Sequence, residues 1–314
     1  MTQTGALPPL EVLVDAADTG LHPWVREHVP AAVRHASLEQ ELGFWLGTAA
    51  QDLTHAEQFA SVAPPRGQPV EAYLDRWLPL GDGSHVLAGP RYLGRDPDLP
   101  FVGISGSDRP LRPTDQPALR ALAQRHFAPF APGFVLLWAS DPVGAWPGAG
   151  TEMRQVVGTL VDLATRETPP ELSTAVRRDI GCYDRYRAIH EAHVAAEPEH
   201  ARHARCEDEE DLLALAEAGL VHDVLVDGEW AGLVAAEPDD RRGVPGMTVV
   251  ELLLDHHVRG RGFGRHLSTL LARALPASDR SWLTGTIHAD NHAAYRAALA
   301  AGRVDVGGEV RVPV

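Results

Sequence analysis

The stretch Val249-Val-Glu-Leu-Leu-Leu-Asp-His-His-Val-Arg-Gly-Arg-Gly-Phe-Gly-Arg-His-Leu267 limits this chain more than any other. An apolar run ends in three alternate glycines, 260, 262 and 264, and Leu267, Leu270, Leu271 and Ala274 then recur at helical spacing. A strand that enters a glycine-rich turn and leaves as a helix can aim several backbone amides at one point, reinforced by the positive end of the helix. Glycine permits close backbone approach, and Arg259, Arg261 and Arg265 add charge suited to a diphosphate. The turn therefore reads as an anion cradle. It lacks the Gly-Lys-Ser/Thr ending of a phosphate-binding P-loop. Its place late in a mostly antiparallel order also argues against a dinucleotide-binding βαβ unit.

The surrounding pattern supplies that order. Residues 173–195 and 207–218 fit helices, and Asp227-Gly228 between His222–Val226 and Glu229–Ala235 is a strong hairpin signal. Met247–Leu254 reads as a strand, Arg265–Ala274 as a helix, Trp282–Ile287 as a strand and Asn291–Ala301 as a helix stopped by Gly302. Val304–Val306 and Glu309–Val312 read as a last hairpin about Gly307-Gly308, giving βββαβαββ. The first half is also mixed. Helical spacing covers 23–52, 69–78, Ala118–Phe127 and Met153–Arg166, with strands at Ser84–Ala88, Phe101–Ile104 and Gly133–Trp138. A break at Thr168-Pro-Pro divides the chain into 1–170 and 171–314, in keeping with two domains for 314 residues.

Arg259-Gly-Arg-Gly262-Phe-Gly264 matches the R/Q-x-x-G-x-G/A motif of the GNAT superfamily of acyl-CoA-dependent acetyltransferases, and the C-terminal half resembles that family. Asp290-Asn291-His-Ala-Ala294, with Ala298 and Gly302, is similar to its second signature, N-x-x-A/S on a helix closed by glycine. The resemblance covers about 171–314. It implies an α/β (α+β) fold with a mixed, mostly antiparallel sheet and flanking helices. The N-terminal α/β half is a candidate degenerate copy, as in tandem-GNAT enzymes, since it carries no R-x-x-G-x-G.

The same resemblance implies that acetyl-CoA is the co-substrate. Amides near Gly262, Phe263, Gly264 and Arg265 would hold its diphosphate beside Arg259 and Arg261. The strand edge Leu252, Leu253 and Leu254 would pair with pantetheine, and Asn291 would contact the donor or order the opening where 248–254 and 282–287 splay. The expected reaction is direct attack by the amine of a small molecule in a ternary complex, with Glu251 as base and Tyr295 as acid. Family members often carry the glutamate at the position of Thr248 and a tyrosine at that of Ala298. Those departures favour, as an alternative, a non-catalytic CoA-binding or regulatory module; a third reading, transfer onto a protein N-terminus, would need an open groove rather than a closed pocket.

Other classes are less well supported. A net charge of −15, with all 28 basic residues arginine, disfavours nucleic acid as partner. No run of about 18 apolar residues and no signal-like start appear, so the chain reads as cytoplasmic and without a membrane partner. Cys182 and Cys206 cannot form a disulfide framework. His190, His193, His200, His203 and Cys206 have metal-like spacing, but Pro198 interrupts it, and no metal is expected. Gly103-Ile-Ser105-Gly106-Ser107 lacks the final glycine of a nucleophile elbow, which excludes a serine hydrolase.

Overall fold

The computed structural model describes residues 6–62, 67–196, 206–276 and 280–314. They form two compact units. Unit 1 holds Met1–Met153, Arg241–Val244 and Val306–Val314; unit 2 holds Arg154–Asp240 and Pro245–Asp305. The division thus falls at Met153/Arg154 where the sequence breaks at 170, and the last nine residues group with unit 1.

Unit 1 begins with helices α1 (Leu10–Gly20), α2 (Pro23–His28), α3 (Ala31–Thr48) and α4 (Leu53–Ala60). Strands β1 (Arg76–Pro79), β2 (His85–Tyr92) and β3 (Pro100–Ser107) follow, then α5 (Gln116–His126) and β4 (Phe134–Ala139). The sheet runs β1-β2-β3-β4 and is completed by β11 (Val304–Pro313), antiparallel to β4 from Gly308↔Ala139 to Pro313↔Phe134. β3 and β4 are parallel and registered at Phe101↔Phe134, Val102↔Val135 and Gly103↔Leu136. Tyr73, Leu119, Phe127, Val135 and Leu137 centre its core, joined by Val310 and Val312 of β11.

Unit 2 comprises most of β5 (Gly150–Thr159), α6 (Leu160–Ala164), β6 (Leu172–Arg177), α7 (Tyr183–Ala196), α8 (Glu209–Glu217), β7 (Val221–Val226), β8 (Glu229–Arg241) and β9 (Val244–Leu254). α9 (Leu267–Ala274), β10 (Trp282–His288) and α10 (His292–Ala300) follow. Its strand order is β5-β10-β9-β8-β7-β6. The expected hairpin is present: Asp227 and Gly228 both take positive φ (52° and 84°), as a tight primed turn requires. One face of the sheet packs against α9 through Met247, Leu254, Phe263, Leu267, Leu271 and Leu283. The other packs against α7 and α8 through Tyr186, Ile189, Leu212, Leu233 and Leu253. Both units are mixed α/β with mostly antiparallel strands and flanking helices, as the sequence implies.

Several boundaries differ. Met153–Arg166 is a strand followed by a short helix. Arg154 and Gln155, whose polarity suggests a solvent face, are buried and paired with Asp305 and Thr284. The span 173–195 opens as β6, and 69–78 is a 3-10 turn at Val70–Tyr73 followed by β1. The last hairpin is one continuous strand. Gly307 (φ 136°) lies inside it, where a Cβ would come within 2.7 Å of the Ala139 carbonyl oxygen, so this glycine allows close passage and is not a turn.

Candidate functional site

β9 and β10 are parallel, but their registered pairs are only Leu283↔Met247 and Thr284↔Thr248. Beyond Thr248 the β9 edge that faces β10 has no registered strand partner among the described residues, so the expected splay between 248–254 and 282–287 is present. Leu252 and Leu254 share that edge, while Leu253 directs its carbonyl towards Gly232 of β8. Two groups on the open edge are engaged within the chain: Leu252 N–H donates to Glu251 Oε1 (2.9 Å), and the Leu254 carbonyl accepts from Arg259 Nε (2.8 Å).

Asp255 ends the strand and shapes the turn, a role that its sequence context does not reveal. Its backbone N–H is tied to the Ala231 carbonyl, and its buried carboxylate accepts from His257 N–H and from Arg185 of α7 (2.8 Å). The rings of His256 and His257 also lie within 2.7 and 3.0 Å of it. Burial opposes its ionisation, yet hydrogen bonds from His257 and Arg185 hold its pKa down at about 2. The histidines before the cradle are thus part of a clasp.

Gly260 and Gly262 take φ of 77° and 83°, and Phe263–His266 then coils as a 3-10 turn into α9. The backbone N–H groups of Arg261, Gly262, Phe263 and Gly264 make no hydrogen bond to any described residue. A Cβ on Gly260 or Gly262 would meet nothing within 4 Å, so the space beside the turn is open. The arginines divide the work. Arg259 pins the turn to β9, Arg261 stacks 4.6 Å above the buried Phe263 ring, and exposed Arg265 stands beside His266.

Asn291 caps α10, its Oδ1 accepting from Ala294 N–H (3.0 Å), which orders the β10–α10 corner. Glu251 turns to the α7 face. Tyr186 Oη donates to its Oε2 (3.0 Å), and His190 Nε2 lies 2.9 Å from the same oxygen. Tyr186 Oη also accepts Glu207 N–H (3.0 Å); burial and the Glu251 charge raise its pKa. Tyr295 belongs to a separate network. Its hydroxyl donates to Asp305 Oδ2 (2.6 Å), and Asp305 is paired with buried Arg154. Burial, then Asp305, pushes Tyr295 up to about 12. Arg303 is fully buried beside β5 and β10. Its Nη2 donates to the Val156 carbonyl (2.9 Å), and burial pulls it down to about 9.

Of the histidine and cysteine cluster, His200 and His203 lie outside the described residues. His190 is taken up by Glu251, and burial raises the pKa of Cys206. No group of three metal-binding side chains occurs among the described residues. Nor is any helix there long and apolar enough to cross a membrane. Unit 1 contains a concavity of about 330 Å³ walled by α1, α3, Ser105, Ser107, Trp138 and Arg242.

The sequence model of the acetyltransferase (GNAT) family matches residues 182–302. No curated protein matches the chain. Among solved structures, a GCN5-related N-acetyltransferase from Sphaerobacter thermophilus is 13% identical, covers 98% of this chain and 95% of its own, and has a TM-score of 0.48. A GNAT-family acetyltransferase from Colwellia psychrerythraea is 11% identical over 73% of this chain and 84% of its own, with a TM-score of 0.46. A third, from Kribbella flavida, is 14% identical over 85% and 95%, at 0.41. The family match takes in the glycine turn, the parallel strands β9 and β10 and the capped α10, so residues 182–302 are similar to a GNAT-family acetyltransferase domain.

Proposed function

We propose that this protein transfers the acetyl group of acetyl-CoA to the amine of a small molecule. The observation that carries the reading is a parallel strand pair that parts after Thr248, next to a turn whose amides at 261–264 have no partner among the described residues. Those amides, with Arg261 and Arg265, fit a diphosphate. The Leu252 carbonyl and the Leu254 N–H lie on the open edge, where an amide-bearing arm could add as a strand does.

The bound donor supplies an activated thioester. The amine nitrogen forms the new C–N bond at the thioester carbonyl, the C–S bond breaks, and the thiolate leaves with the bonding pair. Glu251 accepts the proton released from nitrogen. Tyr295 is a structural residue in this scheme, not the expected acid, because Asp305 holds its hydroxyl; solvent protonates the thiolate. The parallel pair β3 and β4, joined through α5 as β9 and β10 are joined through α9, supports unit 1 as a degenerate copy.

Calorimetry with acetyl-CoA, and thiol release with benzylamine, ethylenediamine, glucosamine and lysine amide, test the scheme. Binding is expected in the wild type and at least tenfold weaker binding in Gly262→Val; equal affinity in the two would remove the cradle from the account. The places of Thr248 and Ala298 favour a second reading, a binding module without turnover. Acetyl-CoA binding with no thiol release from any of the four amines would support it.

A further inference from the structure

We propose that Tyr186 and His190 are positioning residues that fix which oxygen of Glu251 takes the proton. The inference rests on the acyl-transfer reading above and concerns the same site. The two side chains are four residues apart on α7 and so lie one above the other on one helix face. Both reach Glu251 Oε2: Tyr186 through its hydroxyl at 3.0 Å and His190 through Nε2 at 2.9 Å.

The donors can be assigned along the chain of contacts. Tyr186 Oη accepts Glu207 N–H and gives its own hydrogen to Glu251, so Oε2 is an acceptor. An acceptor facing His190 requires the proton on Nε2. The other ring nitrogen, Nδ1, is then bare; it is buried and has no hydrogen-bond partner among the described residues. A second tautomer, with the proton on Nδ1, would leave an N–H unpaired and set a lone pair against the carboxylate. The geometry therefore selects one tautomer.

The two oxygens of Glu251 become unequal as a result. Oε2 is filled by two donors from α7. Oε1 lies at the open β9 edge with a single donor, Leu252 N–H. A proton from an amine entering the seam is accepted at Oε1, while Tyr186 and His190 stop the carboxylate from rotating away. Sequence alone gave little sign of this pair, because His190 was legible only as part of a metal-like spacing.

Two measurements test it on the full chain. In the first, nitrogen NMR of histidine-labelled protein should find the His190 proton on Nε2 in the wild type and a mixed tautomer in Glu251→Gln. A wild-type proton on Nδ1 would overturn the proposal whatever the activity.

In the second, steady-state acetylation of whichever of the four amines is accepted compares Tyr186→Phe, His190→Ala and His190→Gln. Tyr186→Phe and His190→Ala should each lower kcat about tenfold, with KM for acetyl-CoA within twofold. His190→Gln, whose amide N–H can replace the Nε2 donor, should recover most of the loss. A loss in His190→Ala that glutamine does not recover, or one that appears in KM, would show a packing role and overturn the positioning role. If all three variants match a wild type that acetylates normally, only this inference fails. A wild type that does not bind acetyl-CoA, or binds it and acetylates none of the four amines, overturns the inference together with the function on which it rests.

Discussion

Tyr295 shows how a plausible catalytic side chain is reassigned by one contact. Its hydroxyl bond to Asp305 is worth about 1 kcal/mol. Because the folded pKa is raised to about 12 from an ordinary value near 10, that contribution is complete below about pH 10 and disappears as pH rises through about 12. Urea unfolding of Tyr295→Phe should therefore show a deficit of about 1 kcal/mol at pH 8 that closes above pH 11, with turnover kept. A large fall in kcat at unchanged stability would restore the acid role. Arg303 carries its charge in the interior at neutral pH with no carboxylate beside it among the described residues, so Arg303→Met should be neutral or stabilising by about 1 kcal/mol in thermal unfolding at pH 7. A loss of several kcal/mol would mean that its bond to Val156 outweighs the cost of burial. At this scale the sequence shows which residues are ionisable but not which partners they meet. Glu251 was legible as a candidate base, whereas its donors lie 61 and 65 positions away on α7, a helix read as part of a longer one that the structure opens as β6.

At the scale of elements, the best-read parts are those whose signals are local. The Asp227-Gly228 turn, the glycine turn, α9 and the α10 helix stopped at Gly302 all follow from contacts within a few residues, and all are present. β5 was misread because Val156, Val157, Leu160 and Leu163 also satisfy a helical spacing. What makes the segment a strand is burial on both faces by distant residues, which no local window contains. At Gly262 an added side chain enters the open space beside the turn amides, and valine also forces a β-branched residue to φ 83°, so both effects would weaken diphosphate binding. Removing the α10 cap with Asn291→Ala should cost about 1 kcal/mol in chemical unfolding, an effect of the cap alone. A cost near zero would show that α10 is held by its packing.

Over the whole molecule, the fold class was legible but the way the chain is apportioned was not. The Pro-rich break at 168–170 marks a gap in pattern, yet residues 306–314 supply the strand beside β4 and put Val310 and Val312 into the core of unit 1. A fragment 1–170 should therefore lack a cooperative thermal transition and bind a hydrophobic dye. A sharp melt from that fragment would show that β1–β4 suffice. Residues far apart in sequence but adjacent in a sheet leave no mark on composition or periodicity, so such a partition becomes visible only in three dimensions.

The same late strand sets a timetable. β4 leaves the ribosome long before residue 306 is translated, and at usual elongation rates the wait is on the order of ten seconds or more. Throughout it, the nascent N-terminal portion has a raw sheet margin and an unfinished interior, a vulnerable period in which holdase chaperones would find their best grip on this protein.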